Sequence, residues 1–184
     1  MNDKMSLIYV TQTLNVLGAV TCNSDPKRQL SPADVATPQF LFEAHPTPPP
    51  ISNDLVSLSI PASALSVSPP MDFSEDVFQN PALYSVSGSQ ANSLNATLST
   101  APTLTQTNIT ITIPAAVSVP TPAFVQLQQA KPATPPPNTL VVTGSIAANA
   151  TSVILPIPSI KKNVDYSILV LVQGYEPFVI ITHA

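Results

Sequence analysis

An all-β fold is the class this sequence predicts: an antiparallel sandwich, jelly-roll-like or immunoglobulin-like, with Pro-rich extended arms. Three observations point there. Short runs of β-branched and apolar residues recur along the chain, at lengths that suit strands rather than helices. Prolines number 22 in 184 residues and interrupt nearly every window in which a helix could grow. Ser, Thr, Asn and Pro fill the segments between the runs, as turns of a sandwich require.

Near the start, Leu7, Val10, Leu14 and Leu17 approach helical spacing. Ile8, Val10, Thr11, Thr13 and Val16 nevertheless favour an extended chain, because branching at Cβ restricts χ1 in a helix. Residues 45–50 and 131–137 are proline clusters, expected to be stiff spacers of about 3.1 Å per residue. Residues 55–60, 140–143 and 153–157 read as short strands bounded by Pro or Gly. Residues 72–78 suit one helical turn, with Asp72, Glu75 and Asp76 favoured at its N-terminal end. Residues 108–114 alternate strictly, placing Ile109, Ile111 and Ile113 on one face and Thr110 and Thr112 on the other. Residues 166–172 and 178–183, joined by a Gly- and Pro-containing turn, read as a hairpin covered on both faces.

The segments after the two proline clusters echo each other, aligning Leu55 with Leu140, Ile60 with Ile146 and Val67 with Val153. A second echo sets residues 86–89 beside residues 142–145. Both are candidates for an internal duplication. Only 4 glycines are present, so turns are expected from Pro-initiated types rather than Gly-dependent tight hairpins. The domain reading is an N-terminal strand, arm and linker over residues 1–50, a β-rich domain over 51–130 and a C-terminal β unit over 131–184. The last two form either one continuous domain or two.

Charge is scarce. Asp, Glu, Lys and Arg make up 9% of the chain, and residues 77–130 contain none, where soluble domains average about 25%. Such a surface suits a subunit covered by neighbours. The residues expected to make those contacts lie in 91–129. The formal charge of −4 argues against nucleic-acid binding, which needs clustered cations. The adjacent pairs Lys27–Arg28 and Lys161–Lys162 read as solvated turns. No stretch reaches the ~18–20 apolar residues of a membrane span.

Candidate chemistry is sparse too. His45 and His183 are the only histidines, and neither has carboxylate or cysteine neighbours at ligand spacing. Asp72, Glu75 and Asp76 lack the spaced oxygen donors of a calcium loop and read as a solvated turn. Four glycines spell no phosphate-cradling motif. Cys22, alone, cannot form an intrachain disulfide and reads as a small buried or half-buried hydrophobe. Sequons begin at Asn95, Asn108 and Asn149; without a convincing signal peptide they read as accidental. No catalytic, cofactor-binding or metal residues are therefore expected.

The leading expectation is a non-enzymatic structural subunit of a large assembly. A phage or viral virion component, made in the host cytoplasm with Met1 retained, fits best: a capsid decoration, minor capsid, or tail or fibre protein. Its partners would be other subunits, including copies of itself. The alternative is an exported bacterial cell-surface or adhesion module, with residues 1–22 removed or lipidated at Cys22.

Overall fold

The computed structural model describes residues 3–22, 29–36, 39–46, 55–130 and 139–184. The fold is all-β: strands dominate, helices are single turns, and the sheets are antiparallel. The proline clusters expected to form arms, and Lys27–Arg28, lie outside the described residues apart from His45 and Pro46. No helix among the described residues is long and apolar enough to cross a membrane. The chain divides into two compact units, each assembled from separate stretches: Met1–Phe42, Ser59–Ala96 and Gln173–Glu176 in one, and Glu43–Leu58, Thr97–Val172 and Pro177–Ala184 in the other.

The first strands are β1 (Lys4–Val10), β2 (Val16–Thr21), β3 (Gln39–Ala44), β4 (Val56–Pro61), β5 (Leu65–Val67), β6 (Met71–Asp72), β7 (Tyr84–Ser87) and β8 (Gln90–Ser93). In the first unit β1 is central, with β2 on one side and β5 and β6 on the other, all antiparallel. Strand preference at Ile8, Val10 and Val16 therefore outweighs the helical spacing. Met5, Leu7 and Val16 form a core with Val77 and Val86. Short helical turns occur at α1 (Pro32–Val35) and α2 (Glu75–Gln79); α2 supplies Val77 and holds Glu75 and Asp76 in its first turn, whereas Asp72, expected at the same helix start, belongs to β6. On β2, a Cβ at Gly18 would meet the tip of the Phe40 ring, so glycine lets that aromatic approach the strand closely.

The hairpin from β7 to β8 turns at Gly88, with φ of 61°, and the loop at Gly174 has φ of 85°. The expectation that tight turns avoid glycine is thus corrected: two of the four glycines sit where positive φ is needed. Elsewhere Asn149, Asn163 and even Leu14 take the left-handed conformation. Leu14 closes the β1–β2 connection, where Val10 donates to Asn15 O at 3.0 Å and Leu14 donates to Val10 O at 2.8 Å.

The remaining strands are β9 (Thr103–Leu104), β10 (Asn108–Thr112), β11 (Thr121–Gln129), β12 (Thr139–Ile146), β13 (Ser152–Pro156), β14 (Asp165–Val172) and β15 (Phe178–His183). In the second unit they form a three-stranded sheet, β13-β10-β9, and a four-stranded sheet, β12-β11-β14-β15. The predicted hairpin is β14 with β15. Ile109, Ile111 and Leu155 point inward and are buried, while Thr110 and Thr112 are partly open. A Cβ on Gly144 of β12 would run into Leu155 Cδ2, so the two sheets pack face to face at this point, and Gly144 provides the room. The neighbouring inward residues Val125, Leu127, Ile168 and Val170 complete that core.

The opposite face of the larger sheet is buried as well, through Phe124, Gln126, Leu169 and Leu171. Gln128 Nε2 donates to Ser57 O at 2.6 Å and Gln126 Nε2 to Gln128 Oε1 at 3.4 Å, so these buried amides have partners, as burial demands. Residues 121–129 therefore lack charge because they are a central, doubly covered strand. This corrects the expectation that they contact other subunits. In the first sequence echo the matched segments cover two strands each. Both β4–β5 and β12–β13 are strands joined by a short connection that carries the chain from one sheet to another. In the second echo Gly88 turns a hairpin whereas Gly144 lies within a strand.

Substituting Gly144→Val should destabilise the protein by about 1–3 kcal/mol in equilibrium denaturation, through overpacking against Leu155. Thr13 is fully buried and its hydroxyl has no hydrogen-bond partner. Thr13→Val should accordingly hold or raise stability, by up to about 1–3 kcal/mol, in the same assay.

Candidate interaction surface

The side chains with chemical potential are dispersed. His45 is exposed. His183 Nδ1 pairs with Asp165 Oδ1 at the end of β14–β15, with both side chains more than half exposed. Lys4 Nζ bonds Asp72 Oδ1 at 2.6 Å, so Asp72 serves an ion pair linking β1 to β6 rather than a cation site with Glu75 and Asp76. Among the described residues no three His, Cys, Asp or Glu side chains gather where they could hold a metal. Cys22 is buried, with its sulfur 3.4 Å from Ser6 Oγ, matching its reading as a small core residue. Lys161 and Lys162 are exposed where the chain turns towards β14. Of the sequon residues, Asn95 and Asn149 are exposed, and Asn108 opens β10 half-buried.

Among the described residues, cavities open to solvent include one in each unit. One of about 600 Å³ in the first unit is lined by Lys4, Met71, Asp72, Val77, Tyr84 and Gln90. Its ammonium and carboxylate neutralise each other. The other, about 360 Å³, is lined by Leu127, Thr139, Leu140, Ile160, Lys161 and Tyr166 at one end of β12.

The feature with binding capacity is a strand edge. Ala130 N–H donates to Asp165 O at 2.9 Å, which sets the alternation of the antiparallel ladder. Gln128, Gln126 and Phe124 therefore turn their main-chain groups to β14, and Thr121, Ala123, Val125 and Leu127 turn theirs to β12. Pro122 sits one residue before the pairing with β14 begins at Ala123, so its missing N–H removes no bond from that ladder. By the same alternation β12 uses Leu140, Val142, Gly144 and Ile146 inward. The N–H and C=O groups of Val141, Thr143 and Ser145 point outward.

No strand lies beyond β12 among the described residues. Its register with β11 runs without a bulge, and its residues from Thr139 to Ser145 are partly or fully exposed. Edge strands of free proteins are usually blunted by Lys, Pro, a bulge or brevity. The eight residues of β12 have none of these. Neighbouring β13 is charge-free too, and its Ile154 is 64% exposed.

Reading the sequence as a strand over 140–143 missed this edge, because Gly144 looks like a strand end. The available signal was the length of the uncharged, proline-free run from Thr139 to Ile146. Ile154 and Ile111 lie on opposite faces of one small sheet, so their truncations should diverge. Ile111→Ala should cost about 2–5 kcal/mol in a denaturation midpoint assay, and Ile154→Ala should stay within about 0.5 kcal/mol. Against protein families, curated proteins and solved structures, no match to this chain is found.

Proposed function

We propose that this chain is a non-enzymatic structural subunit of a large protein assembly. The observation that carries the reading is the unblunted, uncharged edge of β12. Unpaired main-chain donors and acceptors along an uncharged edge strand favour pairing with another chain, and charge-depleted surfaces are typical of interface cores. Within that class, a virion component such as a capsid decoration, minor capsid or tail and fibre protein suits a chain with 22 prolines and 9% charged residues. A proline-rich chain, with many φ angles already restricted, would lose less entropy than most on docking to a neighbour.

Export with processing at Cys22 is disfavoured as the alternative. It would remove β1, the central strand of its sheet, and β2 with it, taking Met5, Leu7 and Val16 from the core. Mass spectrometry of the natural protein should find residues 4–21 present. Light scattering coupled to size-exclusion chromatography on the full chain should show self-association. Because the surface concerned carries no ions, that association should persist as salt is raised, unlike charge-driven contacts. A monodisperse monomer at high concentration would overturn the proposal.

A further inference from the structure

We infer that β12 pairs with β12 of a second copy of this chain, antiparallel about a two-fold axis through Thr143, joining two four-stranded sheets into one continuous sheet. The inference deepens the assembly reading and rests on it, by naming the partner of the open edge. Its ground is self-complementarity. The outward main-chain groups belong to Val141, Thr143 and Ser145, and a two-fold through Thr143 sets Thr143 opposite its own copy and Val141 opposite Ser145. Each of these pairs exchanges both main-chain hydrogen bonds, as closely spaced antiparallel pairs do.

The side chains agree with that register. On one face hydroxyl meets hydroxyl at Thr143, a favourable cross-strand pair. On the other face Val142 lies opposite Gly144, a branched residue against the smallest one, and Leu140 lies opposite Ile146. A foreign strand would have to be selected by charge or by size. No residue of β12 carries a charge, so nothing on it selects a charged partner. A second copy introduces no ion at all, although each chain has a formal charge of −4. An isologous contact of this kind closes on itself and leaves neither β12 edge open.

The test uses the full chain and three readouts. Light scattering should give a dimer for the natural sequence. Thr143→Lys, at an exposed position, opposes two ammonium groups at the axis and should weaken dimerisation by at least about tenfold, with partial recovery in high salt. Thr143→Val, which stays neutral, should retain the dimer. Amide exchange in the dimer should protect Val141, Thr143 and Ser145, and diluting to monomer should release them together.

Some outcomes sink the β12 pairing alone. In these the natural chain associates, but Thr143→Lys leaves the affinity unchanged, the three amides exchange as fast as exposed loops, or an open series of oligomers forms. Association through another surface then stands, and with it the assembly reading. A natural chain that stays monomeric at every concentration overturns both. Circular dichroism and thermal midpoint of Thr143→Lys, expected to match the natural chain's monomer, separate lost pairing from lost folding.

Discussion

A strand buried on both faces has nowhere to place an unpaired amide or an ion, and β11 is such a strand. Its main-chain groups are satisfied alternately by β12 and β14, and the residues from Ala123 to Gln128 are all buried. Leaving such groups unpaired in an apolar interior would cost several kcal/mol in total, so the positions of β12 and β14 follow from β11. From β14 the hairpin supplies β15, and from β12 the corner through Asn149 supplies β13, which lays Leu155 over Gly144. Much of the second unit is thus a consequence of how one central strand is satisfied.

The same constraint separates two kinds of charge poverty. In β11, and in β14 beyond the exposed Asp165 that opens it, ions are excluded because burial would strip their hydration. In β12 and β13 that explanation fails, since Thr143, Ser145 and Ile154 are open to solvent. Composition cannot distinguish these cases; both look like runs of Val, Ile, Thr and Gln. Burial distinguishes them: it removes residues 121–129 from the expected contact range 91–129 and adds the exposed edge of β12 as a candidate surface.

The legible parts of the fold were those whose signal is local. Ile109, Ile111 and Ile113 announce a half-buried strand because side chains alternate every two residues. The pairing of β14 with β15 is legible because a short loop leaves few other partners, and α2 because acidic residues mark a helix start. The central strand β11 was not legible. Pro122 argues against an interior strand, and Gln126 and Gln128 look like surface residues. Only the pairing with β14, which begins after Pro122, and the amide bonds to Ser57 O and between the two glutamines explain them.

From the sequence alone came the all-β class, the breaking of helices by proline, the buried role of Cys22 and the scarcity of ions. Each depends on residue type and near-neighbour spacing. Tertiary structure alone decided that β1 and β11 are the central strands, that Gly144 yields its space to Leu155, and that β12 ends its sheet with donors exposed. These depend on which distant strands meet, and strand pairing across dozens of residues is selected by the packing of whole faces rather than by any local preference.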